Sequence, residues 1–561
     1  MKVCLSLLVV VASLLVQGDA ASAPAVPSSG KANVKRPDWV DHIDRDTIQK
    51  YMDLARERHR ESIAKARDAY NIAEAEQYPP DEATLSKLKL EPFSINSSGR
   101  LPDFQDELEK KLFVTSEKTP LFTKEECQDC IDKAEAHFEA ISNGEWGKLP
   151  SGQYDVAGFW IRDIPEVHEW FLKMLQTRLF PLLSQTFPDF AGESLADWVV
   201  DNAYLFKYTP ETGRRTDVHT DSGCISFTIA LNSNSEYKGG GTWFEGLEGS
   251  NTNNVIEMNV GQCTVRPGGV RHCGHAVTEG TRYIIGGFCM QVPKVEYVRM
   301  LLGLGTEGQT SVEDRIKALQ VAIALNPGFD GPYTNLADLL TKQGKIQEAK
   351  QVLEYCLENV NPYCGEVAYT LGGLYYEEGA YEKAKMCMER CLEADETDVQ
   401  AMTVLVQVYA KQGNAENEKE WCQKIVDTPG ADVSAVASAY VNLGVLHEGE
   451  EKEIVYYRKA LAIKPDIFAA RYSLGCAYAS NEQWTQAAQE IRAALGYGAP
   501  NEDQEMQAIK ALYTIASKKI REDHPQGVAS REIMMEYFGK IMGSEHLDKL
   551  MAAAAKKGGP V

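Results

Sequence analysis

His219 and Asp221 stand two residues apart, His272 follows 51 residues after Asp221, and Arg282 comes ten residues after His272. Two residues at period-2 spacing near the end of a strand point to the same face, so His219 and Asp221 can present their side chains together. Two imidazoles and one carboxylate fill one face of an octahedral ion and leave the opposite face open. That is the arrangement of non-haem Fe(II) oxygenases. A 2-oxoglutarate chelating such an iron through its keto-acid end keeps a distal carboxylate, and a guanidinium such as that of Arg282 is the group best suited to hold it. A lone HxD or a lone His would carry little, since most histidines are structural; the weight lies in the four residues together.

The elements that must position these side chains are strand-like. They read FKYTP around Tyr208, SFTIALN from Ser226, YKGGGTWF from Tyr237, and HCGHAVTEGTRYIIGGF from His272. Helix-like text at Glu125–Ile141 and Pro165–Phe187 precedes them, the first opening with LFTKEECQDCIDKAE. On these motifs the segment from Leu121 to Val292 resembles the catalytic domain of the Fe(II)/2-oxoglutarate-dependent dioxygenases, in particular the procollagen lysyl and prolyl hydroxylase group. The resemblance implies a double-stranded β-helix, a jelly roll of two antiparallel sheets, buttressed by helices. It implies His219, Asp221 and His272 as iron ligands, Arg282 as the 2-oxoglutarate anchor, and Tyr208 and Ser226 as hydroxyl donors to the same distal carboxylate. Ascorbate is the implied reductant. Halogenating relatives carry a small residue where Asp221 stands, so hydroxylation is the implied reaction.

Alternatives remain at three positions. His275 is close enough in sequence to stand in for His272, although the ten-residue step to Arg282 favours His272. If it is not a ligand, His275 supports one or faces substrate. Tyr154 and Trp160, in SGQYDVAGFWIRDIP, are candidates for substrate contact and equally for core packing.

The 561 residues are 44% hydrophobic and 25% charged, an ordinary globular composition with room for two or three domains. The net charge of −23 does not favour nucleic acid, which would need a basic stripe; the acidic balance could steer basic protein substrates, and most of it reads as solvated helix faces. Residues 1–20 combine Lys2, an apolar run from Leu5 to Val16 and small residues at Gly18, Ala20 and Ala21, the pattern of a cleaved signal peptide. A short uncleaved anchor is the alternative. The expectation is a secretory-pathway protein, secreted or held in the endoplasmic reticulum lumen. Asn96-Ser97-Ser98 is a sequon for that compartment. Of 13 cysteines, 12 remain when Cys4 is set aside with the signal. Cys127 and Cys130 form a CxxC on a helix, either a structural pair or two free thiols, and Cys364, Cys387 and Cys391 are candidates for pairing.

Residues 21–38 read as a disordered leader, and 39–120 as a helix followed by an irregular linker. Ile48, Met52, Ala55, Ile63, Ala66, Tyr70 and Ala73 give that helix one apolar stripe, to cover the dioxygenase-like domain, 121–295, or a second copy of the chain in a homodimer. After it, residues 305–500 carry an internal repeat. Leu336, Leu371, Leu405, Leu443 and Leu474 recur at steps of 35, 34, 38 and 31, with small residues beside them at Ala337, Gly372, Gly444 and Gly475. This resembles tetratricopeptide repeats, an all-α solenoid of helix pairs that pack small residues against large ones. Glu418 and Tyr456 depart from the small-residue position. Residues 501–561 supply capping helices and a tail.

The expected function is hydroxylation of a peptidyl lysine or proline, with a peptide or protein substrate and a further protein partner for the repeats. The lysyl-hydroxylase-like branch matches YKGGGTWF and HCGHAVTEGTRYI best, whereas prolyl hydroxylases carry their helical repeats ahead of the catalytic domain. A repeat-based binding scaffold with a vestigial dioxygenase domain and a small-molecule hydroxylase are the alternatives.

Overall fold

The structure, a computed structural model, describes residues 37, 39 and 42–535, except 70–77, 96–110, 145, 148–155, 189–193, 211–214, 217, 222–224, 249–253, 309, 430, 519–523, 526, 531 and 534. The expected signal peptide, the sequon at Asn96, Tyr154, and all of the leader but residue 37 lie outside the described residues. Two compact units divide the chain, residues 1–396 and 397–561.

The first unit is built on a seven-stranded antiparallel sheet. Its strands are β1 (Leu90–Ser94), β2 (Lys111–Thr115), β3 (Ala157–Trp160), β4 (Trp198–Tyr208), β5 (Ile225–Ala230), β9 (Cys263–Pro267) and β12 (Arg282–Gln291), in the spatial order β1-β2-β9-β5-β12-β4-β3. Between them in sequence run β6 (Tyr237–Gly239), β7 (Thr242–Phe244), β8 (Val255–Ile256), β10 (His272–Gly274) and β11 (Val277–Gly280), which form two smaller antiparallel sheets, β10-β7-β8 and β11-β6.

Period-2 alternation sorts the large sheet into two faces. Ala203 and Leu205 of β4, Ile225, Phe227 and Ile229 of β5, Cys263 and Val265 of β9, and Ile285 of β12 join one large apolar core. That core is completed by the helices Lys124–Ser142, Pro165–Met174 and Phe180–Thr186, through Phe138, Phe171 and Leu183. The first of these starts at a capping box between Thr123 and Glu126, as its acidic first turn favours. Glu135 on it accepts from Lys207 at 2.8 Å, Tyr283 at 2.5 Å and Trp146 at 3.1 Å, which ties the helix to β4 and β12.

The alternate residues face the small sheets. Tyr204, Phe206, Tyr208 and Ile284 cluster with Tyr237 and Val277, and Leu112, Val114 and Ala230 with Phe244 and Ile256. Ser226, Thr228, Thr264, Arg266 and Arg282 share that inner side and are all buried. An apolar sheet face normally would not tolerate so many polar groups, so this is where function should be sought.

β1 and β2 lie within 39–120, where the sequence predicts an irregular linker after the helix. Pro92 and the polar neighbours of β1 argue against a strand, but β1 is an edge strand, where a missing N–H can face solvent. The helix Arg45–Ala69 has the expected stripe, with Tyr51, Ala55, His59, Ile63 and Ala66 buried. Its stripe is covered within the chain. Ile63 and Ala66 join the core against the large sheet, and Tyr51 and Ala55 pack on Val298, Leu301 and Ala322 of the helices Tyr297–Thr306 and Val312–Leu325.

The helices Gly331–Lys342, Ile346–Tyr355, Gly365–Glu377 and Tyr381–Ala394, the first two repeats, belong to the same compact unit as the sheets, and the division falls at 396. Cohesion follows buried contacts, and a change in secondary-structure type does not by itself break them.

The second unit continues with the antiparallel pairs Val399–Gln412 and Ala415–Asp427, Val433–Leu446 and Glu451–Ile463, and Phe468–Ser480 and Trp484–Tyr497, then Glu502–Lys518. The small-residue positions work as expected: a Cβ on Gly444 would meet the Tyr457 ring at 2.4 Å, and one on Gly475 would meet Ile491 at 2.5 Å. The departures are accommodated locally. Tyr457 rather than Tyr456 enters the core, Tyr456 stacks on Tyr440 with ring centroids 6.2 Å apart, and burial raises the Glu418 carboxyl. The eleven described cysteines carry thiols and not disulfides, Cys127, Cys130, Cys364, Cys387 and Cys391 included. Burial pushes the Cys127 thiol up to about 12, which makes it an inert packing residue. Among the described residues no helix is long and apolar enough to cross a membrane.

Gly287 reports the tightness of the main core, because a Cβ there would lie 2.3 Å from the Phe227 ring. Gly287→Ala is expected to lower stability by about 1–3 kcal/mol, read as a lower urea midpoint at unchanged slope.

Candidate metal centre

His219 forms an isolated antiparallel bridge with His272, each donating its N–H to the other's carbonyl at 2.9 Å. This register sets the two rings side by side, with centroids 4.6 Å apart. Asp221, two residues on, is tethered by its N–H to the Gly268 carbonyl at 2.8 Å. One ligand atom each from His219, Asp221 and His272 then lie within 4.8 Å of one another. Asp221 Oδ1 is 3.5 Å from His219 Nε2, and Oδ2 is 3.5 Å from His272 Nε2. His275 is outside this group; its Nδ1 faces the Gly240 carbonyl at 3.0 Å.

The electrostatics suit a cation. Burial by itself would raise the Asp221 carboxyl, yet its surroundings, the hydrogen bond with His219 and the Arg266 guanidinium among them, hold it well below the usual carboxylate range. Burial and the neighbouring Arg266 drive His272 well below its ordinary value, so its imidazole is neutral. Its Nδ1 lies 2.8 Å from the Val270 carbonyl, which fixes the proton there and leaves the Nε2 lone pair facing Asp221. These are the protonation states that a divalent metal requires.

Arg266 was not foreseen. Its Nη2 lies 2.7 Å from His272 Nε2 and 3.3 Å from Asp221 Oδ2, and its Nη1 donates to Thr228 Oγ1 at 3.0 Å. The guanidinium thus supplies positive charge beside the ligand atoms, and a bound cation would require Nη2 to withdraw from His272. Strand parity carried the signal, since Arg266 alternates with the core residue Val265 and shares the inner face with Thr264.

Arg282 is 1% exposed, stacks over the Tyr208 ring at 5.3 Å, and has Nη2 3.5 Å from Thr242 Oγ1. Its Nε and Nη1 are buried and have no hydrogen-bond partner. Buried donors left unpaired are costly, so a planar anion is the expected complement. The register measures how far that anion must reach. His272 pairs with Phe244, and Gly274 with Thr242, so Arg282 contacts β7 two residues, about 7 Å, from the His272 level. A five-carbon dicarboxylate spans that distance. Gly274 keeps the path open, because a Cβ there would lie 3.1 Å from the Tyr208 hydroxyl. Burial raises that hydroxyl to about 12, which keeps it a donor.

Ser226 does not join Arg282 at the distal carboxylate. On β12 it pairs with Phe288, whereas Arg282 pairs with Tyr208, so six residues or about 20 Å of strand separate the two levels. Ser226 instead stands opposite Arg266 on β9. Trp160 is half-buried on the edge strand β3, against the aromatic cluster of Tyr204 and Phe206, with the Arg162 guanidinium 4.4 Å from its ring.

Known proteins match the helical part of the chain. The family model described as tetratricopeptide repeat matches residues 331–359 and 365–398. These segments are tetratricopeptide repeats. No curated protein sequence matches the chain. Among solved structures, the chain is similar to YrrB, titled a TPR protein with an unusual peptide-binding site, at 22% identity and a TM-score of 0.30, over 35% of this chain and 99% of that one. It is also similar to a tetratricopeptide repeat protein from Parabacteroides merdae ATCC 43184, at 15% identity and a TM-score of 0.32, over 42% and 97%. MamA 41-end from Desulfovibrio magneticus RS-1 has 21% identity and a TM-score of 0.27, over 30% and 94%.

The partly unpaired Arg282 guanidinium gives a direct test of the anion site. Arg282→Met is expected to leave the ligand-free melting temperature unchanged or higher, since a buried unpaired charge is removed. The same variant is expected to lose the thermal stabilisation that millimolar 2-oxoglutarate gives the wild-type chain in the presence of Co(II), measured by scanning fluorimetry.

Proposed function

We propose that this chain is an Fe(II)- and 2-oxoglutarate-dependent dioxygenase, with the strand-rich region a double-stranded β-helix, that hydroxylates a peptidyl lysine or proline in secretory-pathway proteins. The observation that carries the reading is the convergence of His219, Asp221 and His272 ligand atoms within 4.8 Å, with a buried, partly unpaired guanidinium nearby. When bound, iron supplies the dioxygen chemistry that couples oxidation of 2-oxoglutarate to succinate and carbon dioxide with hydroxylation of the substrate.

The chain's own residues have distinct tasks in this reading. His219, Asp221 and His272 would hold the metal. Arg282 binds the distal carboxylate of 2-oxoglutarate as a planar fork, and the Tyr208 hydroxyl is available to donate beside it. Arg266 holds Asp221 through Oδ2 and would keep the carboxylate oriented. The apolar inner cluster of Tyr204, Phe206, Tyr237, Val277 and Ile284 keeps water from the anion pocket. Ascorbate would serve as reductant.

A second reading has support of its own. The tetratricopeptide match supports repeat-based binding of a protein or peptide, and a scaffold with a vestigial centre is the limiting form of that reading. The two readings separate on succinate. Chain lacking residues 1–20 is assayed with Fe(II), ascorbate and 2-oxoglutarate, together with a collagen-like Gly-X-Lys peptide, a proline-rich peptide or no peptide. Succinate stimulated by one peptide, and abolished by His272→Ala, is the expected outcome. Equal silence of wild type and His272→Ala would favour the scaffold. Arg282→Lys is expected to raise KM for 2-oxoglutarate about tenfold or more, with a smaller change in kcat, because a point charge replaces the fork.

A further inference from the structure

One turn of the first repeat grips the chain immediately before both candidate histidine ligands. Arg271, which precedes His272, is fully buried, and its Nη2 donates to the Val360 carbonyl at 2.8 Å while Nη1 lies 3.5 Å from Glu245 Oε1. Asn361, also fully buried, points Nδ2 at the carbonyl of Val218, which precedes His219, at 3.5 Å, and donates to Asp330. The Tyr363 ring meets Trp243 of β7 edge-on at 5.9 Å and clusters with Val218, Val255 and Cys273. The turn is itself closed by the Asn361 N–H on the Cys356 carbonyl at 2.9 Å and the Tyr363 N–H on Asn361 Oδ1 at 3.1 Å. Further along, Asp395 at the end of the second repeat lies 3.8 Å from Arg215, just ahead of His219.

The placement follows from strand parity. His272 and Gly274 face the centre, so Arg271 and Cys273 must face the other way, and that outer side is where the repeat lies. β10 is three residues long, and the His219 segment is joined to it by one bridge and the hydrogen bonds between Thr216 and Gly274, a short ladder for two ligands. Metal affinity depends on ligands being held in place by the groups behind them.

We propose that the 360–363 turn of the first repeat is a clamp that positions His219 and His272, with Arg271, Asn361 and Tyr363 as positioning residues, so that the repeat is a structural part of the metal centre. The proposal rests on the reading of His219, Asp221 and His272 as metal ligands.

The test uses the full chain, with Co(II) as probe and its visible ligand-field absorption as readout. Arg271→Met and Tyr363→Ala are each expected to bind Co(II) about 10–100-fold more weakly than wild type and to alter the band shape, while Tyr363→Phe, which keeps the ring, binds as wild type does. Leu371→Ala in the core of the second repeat is the control; it should lower the melting temperature with Co(II) affinity unchanged. If Arg271→Met does not fold, Tyr363→Ala against Tyr363→Phe still decides. Wild-type affinity in Tyr363→Ala would overturn the clamp, as would an equal loss in Leu371→Ala. Failure of the wild-type chain itself to bind Co(II) would instead overturn the ligand assignment beneath it.

Discussion

The Asp221 carboxylate is ionised and almost fully buried, and much of the first unit is arranged to make that tolerable. An isolated carboxylate in such a place would cost several kcal/mol, enough to neutralise it or to unfold a marginal domain. Two imidazoles and the Arg266 guanidinium surround it, and Arg266 is in turn anchored on Thr228 and Thr264. Those threonines reach it only because β5 and β9 direct alternate residues inward. The charge at the centre and the register of the large sheet are therefore one constraint.

Register is enforced from the opposite face. A slip of one residue would exchange the apolar set Ile225, Phe227 and Ile229 with Ser226, Thr228 and Ala230, burying polar groups against the helices and exposing the core. The helix Lys124–Ser142, through Glu135 and Phe138, and the helix Arg45–Ala69, through Ile63 and Ala66, lock that face. The close approach of Gly287 to Phe227 shows how little slack remains. Rigid support on the outside is what permits an inner face lined with groups that contribute little to stability by themselves.

The repeats obey a different rule. Each helix pair needs its neighbour to cover an apolar face, and glycine at the crossing lets a tyrosine or isoleucine of the partner helix sit against backbone, as at Gly444 and Gly475. The turn after the first pair finds additional cover among the strands, through Trp243 against Tyr363 and the buried Arg271.

The residue types and spacings by themselves determined the repeat period, the helix Lys124–Ser142 almost to the residue, the parity that aligns His219 with Asp221, and the pairing of small with large side chains, because each depends on neighbours three, four or two positions away. Only the tertiary structure decided the rest. The separation of Ser226 from Arg282 follows from which residues of β5 and β12 pair, and no local pattern encodes that pairing. The edge strand β1 is hidden by Pro92, whose cost vanishes only at an edge. Arg266 becomes part of the centre only once β9 lies beside β5, and Arg271 meets the 360–363 turn only when segments 89 residues apart pack together. Those features rest on burial and pairing between distant segments, which arise only when the whole chain is packed.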